Sequence, residues 1–113
     1  MNKPEIGPEK PKIKIDIREN GDLYVISGLE KEELLNLAVR IFGQFQPNED
    51  NLKIRESFEK GGIEGELRPQ GCFAMKIINL EGGDQLWIEN RNARGYKPAT
   101  EQLKRAVESV VSF

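Results

Sequence analysis

The chain has 113 residues, 37% of them apolar and 32% charged, and its 17 Lys and Arg nearly balance its 19 Asp and Glu. This length fits one domain with a modest core. The absence of histidine and the single Cys72 exclude a histidine-dependent catalytic couple, a zinc cage and an internal disulfide. We therefore expect no catalytic residues, no cofactor and no metal.

The N-terminal residues 1–11 contain three prolines and lack the apolar core of a signal peptide. We expect a flexible Pro-rich arm, followed by a single α+β domain over residues 12–113. No apolar run approaches the roughly 20 residues of a membrane span. The sequence therefore predicts no membrane association and, with an unpaired cysteine, a cytoplasmic location.

A β-hairpin is predicted at the start of the domain. Apolar and charged residues alternate over residues 12–18, an Asn-Gly pair follows, and a second apolar run covers residues 23–26. A two-residue loop would place Tyr24 and Ile26 on the Ile15 face, whereas a three-residue loop with a bulge would place Leu23 and Val25 there. The sequence leaves the two registers open.

An amphipathic helix is predicted next. Ser27 and Glu30 have the spacing of a capping box, and an apolar stripe at helical spacing runs from Leu34 to Phe45. Gly43 is positioned to end this helix.

Four further strands and a last helix are predicted from the remaining pattern. Leu52, Ile54 and Phe58 share one parity, which indicates a half-buried strand with Glu56 at an inward position. Gly61 and Gly62 form a turn, residues 63–68 an edge strand, residues 72–80 a central strand, and residues 85–89 a return strand around Trp87. Pro98 suits the first turn of a helix that buries Ala99, Leu103, Val107 and Val110. The predicted order is β-β-α-β-β-β-β-α, a two-layer α+β sandwich with five or six antiparallel strands and two helices.

The connection before the last helix is a candidate binding loop. Between residues 85 and 105 there are five Lys or Arg residues against two Glu. Such a loop could bind an anion, a nucleic-acid backbone or an acidic protein surface, but paired arginines in a solvated loop are the commoner explanation. The candidate binding residues are Asn90, Arg91, Asn92, Arg94, Tyr96 and Lys97.

A second, acidic patch is predicted around the first helix, where five acids face one Lys between residues 19 and 34. Glu30, Glu32 and Glu33 form its centre. Their spread around a helix start favours capping over metal binding.

Three single residues have both a structural and a functional interpretation. Cys72 has no histidine to lower its pKa, so we expect a small core residue. Trp87 and Phe73 would form a stacking platform if they faced outward, but strand aromatics are more often buried, and core packing is the preferred interpretation.

Three classes of function remain. We favour a non-enzymatic protein-interaction domain, such as a small adaptor, inhibitor or subunit of the type that phages and mobile elements encode. Its partner would be a protein that contacts the segregated charged patches. The first alternative is nucleic-acid binding through the basic loop and the lysine-containing arm of Lys3, Lys10 and Lys12. The second alternative is a small-molecule enzyme or carrier, and a homodimer through an edge strand or the last helix is a further option.

Overall fold

A computed structural model describes residues 12–18, 21–67, 71–92 and 97–111. The elements follow the order β-β-α-α-β-β-β-α. The strands are β1 (Lys12–Arg18), β2 (Gly21–Ser27), β3 (Ile63–Glu66), β4 (Cys72–Leu80) and β5 (Gly83–Asn90), and the helices are α1 (Lys31–Phe45), α2 (Asn51–Glu59) and α3 (Lys97–Val111). The predicted α+β class is confirmed, with three helices instead of two. The predicted arm over residues 1–11 lies outside the described residues.

The five strands form one antiparallel sheet in the order β1-β2-β5-β4-β3. The β1–β2 hairpin joins a β3-β4-β5 meander through the pairing of β2 with β5. The segment predicted as a central strand, β4, is an interior strand, and the predicted edge strand, β3, lies at one edge of the sheet. Strand β1 forms the opposite edge.

The hairpin register agrees with the first of the two predicted alternatives. Ile15 pairs with Tyr24 and Ile13 pairs with Ile26, so Tyr24 and Ile26 share the Ile15 face. This face is directed at the helices, where Tyr24 and Ile26 are buried. Burial, together with weaker repulsion from Asp22 and other carboxylates, raises the pKa of the Tyr24 hydroxyl to about 12. The hydroxyl therefore stays protonated well above neutral pH.

One hydrophobic core lies between the helices and one face of the sheet. The sheet contributes Leu86, Ile88, Phe73 and Met75, and the helices cover them with buried side chains from each of α1, α2 and α3. In α3 the predicted stripe is buried as expected, including Ala99, Leu103, Val107 and Val110. All three described helices pack on the same side, so among the described residues no helix covers the other face of the sheet.

The strand predicted over residues 52–59 is wrong, because this segment is helix α2. The Asp50 carboxylate accepts a hydrogen bond from the Leu52 amide and caps the helix start. Ile54 and Phe58 are four residues apart and face the core together, whereas Leu52 is 69% exposed. Glu56, expected at an inward position, is exposed on this helix.

The boundaries of α1 also differ from the predicted ones. The N-cap is Glu30 and not Ser27, and the Glu30 amide donates to the Glu33 carboxylate at 3.3 Å in a capping box. The helix continues beyond Gly43 to Phe45, and the amide of Gln46 closes it on the Phe42 carbonyl.

Candidate functional site

The open face, which is the side of the sheet that none of the described helices covers, is the candidate site. Residues that are paired across antiparallel strands point to the same side of a sheet. The central row of the open face is Lys14, Val25, Trp87 and Lys76. The next row is Asp16, Leu23, Glu89, Ala74 and Glu64. In the central row Val25 and Trp87 thus lie between two lysines, and in the next row Glu89 lies between Leu23 and Ala74.

Trp87 lies at the centre of the open face and is half-buried. Its indole Nε1 donates to Gln85 Oε1 at 2.9 Å, and the Lys76 ammonium lies 5.6 Å from the ring centroid, within cation–π range. The expectation that Trp87 packs in the core is wrong, while the same expectation for Phe73 is confirmed. The two aromatics lie on opposite faces and cannot form a joint stacking platform.

A groove of about 480 Å³ crosses the open face beside Trp87. Buried Leu23 contributes to its lining, together with Ala74, Lys76 and Gly62. At one side Arg91 forms ion pairs with Glu89 at 2.9 Å and Glu64 at 3.3 Å. The groove is therefore lined by apolar and aromatic side chains together with the paired charges of Arg91, Glu89 and Glu64.

The predicted binding loop is only partly described, because Arg94 and Tyr96 lie outside the described residues. Arg91 is held by the two glutamates of the groove, and Lys97 is exposed at the start of α3. Asn90 is buried, and its Nδ2 donates to Thr100 Oγ1 at 3.1 Å. The described members of the predicted site are therefore not brought together: Arg91 lies at the groove, Asn90 in the interior and Lys97 on the surface at the start of α3.

Asn90 and Asn92 connect the ends of β4, β5 and α3. The amide group of Asn92 exchanges two hydrogen bonds with the Cys72 backbone, at 3.0 and 3.1 Å, and also donates to Asn90 Oδ1 at 2.8 Å. Gly71 completes this junction: its φ is +131°, and an added Cβ would lie 2.7 Å from Asn92 Oδ1. The two asparagines therefore hold the junction together.

Replacing Asn90 by alanine is expected to lower the free energy of unfolding by about 1–3 kcal/mol, because it removes buried hydrogen-bond partners of Asn92 and Thr100. Urea denaturation measures the loss. Asn79→Ala, the same change at an exposed position of β4, is the matched control and should have little effect. Equal losses in the two variants would contradict a structural role for Asn90.

The predicted acidic patch lies at the N-terminus of α1. Glu30 and Glu33 form the capping box, and Glu32 is ion-paired with Arg55 of α2 at 2.8 Å. Glu30 and Glu33 also line a second groove of about 690 Å³ between this helix end and the β4–β5 turn. All three side chains are exposed, and each has a structural partner or capping role.

Cys72 is exposed, so its expected place in the core is wrong. The alternation of β4 explains this result, since Phe73 and Met75 face the helices and Cys72 lies on the open face.

Within the described ranges, no three Cys, Asp or Glu side chains are grouped as metal ligands. None of the described helices is long and apolar enough to cross a membrane.

The sequence interpretation missed the residues that surround Trp87, namely Val25, Lys76 and Ile78. Lys76 is the only charged residue in the otherwise apolar and amide-containing β4. A charged residue at that position is a signal that one face of the strand meets water, and it could have identified the open face.

Comparisons with protein-family models, with curated proteins and with solved structures find no match to the chain.

Proposed function

We propose that the chain is a non-enzymatic protein-interaction domain, a small adaptor, inhibitor or subunit, whose protein partner docks on the open face around Trp87. The observation that carries this proposal is the position of a half-buried tryptophan beside a groove on the face that no described helix covers. Large aromatic side chains in such positions are typical centres of protein–protein interfaces.

The composition of the open face supports a protein as the ligand. Val25, Ala74 and Ile78 are half-buried around Trp87, and Leu80 is 48% exposed at the end of β4. A partner would remove this apolar surface from water, while Lys14 and Lys76 would meet acidic or polar groups at the edge of the contact.

Nucleic-acid binding finds less support. A phosphate backbone requires a surplus of positive charge, but Asp16, Glu64 and Glu89 share the open face with the lysines, and Glu64 and Glu89 form ion pairs with Arg91.

Enzymatic use of the groove finds less support for a related reason. Its two glutamates are solvent-accessible and paired with Arg91, which is a poor arrangement for retuning an acid or a base.

Site-specific photo-crosslinking tests the proposal. A benzophenone amino acid at position 78 lies on the open face, and the same residue at position 52 lies on the exposed side of α2. In lysate of the source organism, we expect position 78 to cross-link one protein that position 52 does not. Identical products at both positions, or a nucleic acid in place of a protein, would overturn the proposal.

A titration with the cross-linked protein, once purified, then tests the role of the face. Lys76→Glu should raise the dissociation constant about tenfold or more, because it replaces the cation beside Trp87 with an anion that would repel the acidic groups of the partner. Lys104→Glu, the same charge change at an exposed position of α3, is the control and should leave binding unchanged. Isothermal titration calorimetry of each variant measures the dissociation constant.

A further inference from the structure

We infer that strand β1 pairs with the β1 strand of a second copy of this chain and joins two sheets into one. The inference is independent of the proposed function, because it concerns the edge of the sheet and not its face. Strand β1 forms the end of the sheet, and among the described residues no strand pairs with its outer side. The occupant of this edge is a second copy, and the reasons lie in the sequence and exposure of β1.

The first reason is the exposure of two apolar side chains of β1. Ile13 and Ile15 lie on the helix side of the sheet, yet they are 40% and 47% exposed, because the helical layer does not reach the edge. The residues with which they pair, Ile26 and Tyr24, are fully buried. A second copy that continues the sheet would place its own isoleucines against Ile13 and Ile15, and the isoleucines of both copies would be removed from water.

The second reason is the charge order of the strand, which is complementary to itself. In an antiparallel pairing centred on Ile15, each Lys14 lies opposite Asp16 of the other copy, and Ile13 lies opposite Ile17. Lysines on an edge strand normally prevent such pairing, but here the contact between Lys14 and an opposite charge occurs twice in the interface. The like-charged positions 12 and 18 are opposite each other only at the two ends of the pairing.

The third reason is the direction of the free backbone groups. Arg18 and Gly21 flank the hairpin loop, and the residues that flank a two-residue loop exchange backbone hydrogen bonds. Alternation then directs the amides and carbonyls of residues 12, 14, 16 and 18 at β2, and those of residues 13, 15 and 17 at the free edge. The register centred on Ile15 pairs these three residues with one another, so every outward group of the strand core finds a partner.

Sedimentation equilibrium over a range of concentrations tests the inference. The wild type should show a monomer–dimer equilibrium. Lys14→Asp should weaken dimerisation about tenfold, because it creates two repulsive carboxylate pairs between positions 14 and 16 of the two copies, and adding Asp16→Lys should restore it by reversing both charges. Failure of the double variant to recover would overturn the proposed register.

Two more variants separate this interface from others. Ile15→Lys places two lysines on the symmetry axis and should give a monomer. Leu80→Lys changes an exposed leucine of β4, which two strands separate from β1, and should leave the dimer unchanged. Circular dichroism confirms that each variant is folded. A wild type that is monomeric at every concentration, or a dimer that survives Ile15→Lys, would overturn the inference.

Discussion

Replacing Phe73 by alanine is expected to reduce the free energy of unfolding by about 3–5 kcal/mol, the usual cost of removing a buried aromatic ring. Phe73 is fully buried, and its ring centroid lies 5.0 Å from that of Phe45 and 6.0 Å from that of Phe42. The loss combines the transfer free energy of the ring with the cavity that its neighbours cannot fill. The free energy of unfolding of a domain is about 5–15 kcal/mol, so the loss is expected to remove a large fraction of the stability.

Urea denaturation followed by the emission of Trp87 measures this loss, since that residue is the only tryptophan and lies on the opposite face of the sheet. Leu52→Ala removes a large apolar side chain that is 69% exposed and is expected to change stability by less than about 0.5 kcal/mol. A Phe73→Ala loss as small as that of Leu52→Ala would show that the ring is not part of the core.

The second large effect is expected at Gly65, which pairs with Phe73 across β3 and β4. An added Cβ would lie 2.6 Å from two atoms of the Phe73 ring and 2.9 Å from the Phe42 ring. Gly65→Ala should therefore cost about 1–3 kcal/mol through overpacking. Gly82→Ala is the matched control, because nothing lies within 4 Å of the Cβ that it would add.

The same contact predicts that the two substitutions are not additive. In the Phe73→Ala background the methyl group that Gly65→Ala adds would enter the space that the ring has left. The double variant should then be more stable than the sum of the single losses predicts, by about 0.5–3 kcal/mol in a double-mutant cycle. Simple additivity would mean that Gly65 is required for a reason other than the nearby ring.

Most of the fold could be predicted from the sequence, because its strongest apolar patterns each fit only one type of secondary structure. The alternation in β1 places its isoleucines on the helix side of the sheet, the stripe in α3 is buried, and both elements formed as expected. Residues 52–58 were ambiguous, since Ile54 and Phe58 lie on one face at a spacing of four in a helix and at the same parity in a strand. The structure forms a helix that Asp50 caps. The sequence did not reveal this cap, because aspartate is also common in loops.

The candidate site was harder to predict, because it depends on which side the helices cover. Trp87 and Phe73 are both aromatic strand residues, and only the pairing of Trp87 with Lys76 distinguishes their faces. The polar character of Asn90 suggested a surface donor, but its hydrogen bonds are made inside the protein. A local sequence does not show which polar groups find partners far along the chain.

Because all the described helices lie on one side of the sheet, a dimer through β1 would offer two binding faces to one partner. A twofold axis that joins two β1 strands runs perpendicular to the sheet, so both open faces look in the same direction. With strands about 4.8 Å apart, the two β5 strands, and with them the two Trp87 side chains, would lie about 24 Å from each other. A partner with two matching surfaces could bind both at once, and avidity would then compensate for a weak contact at each face.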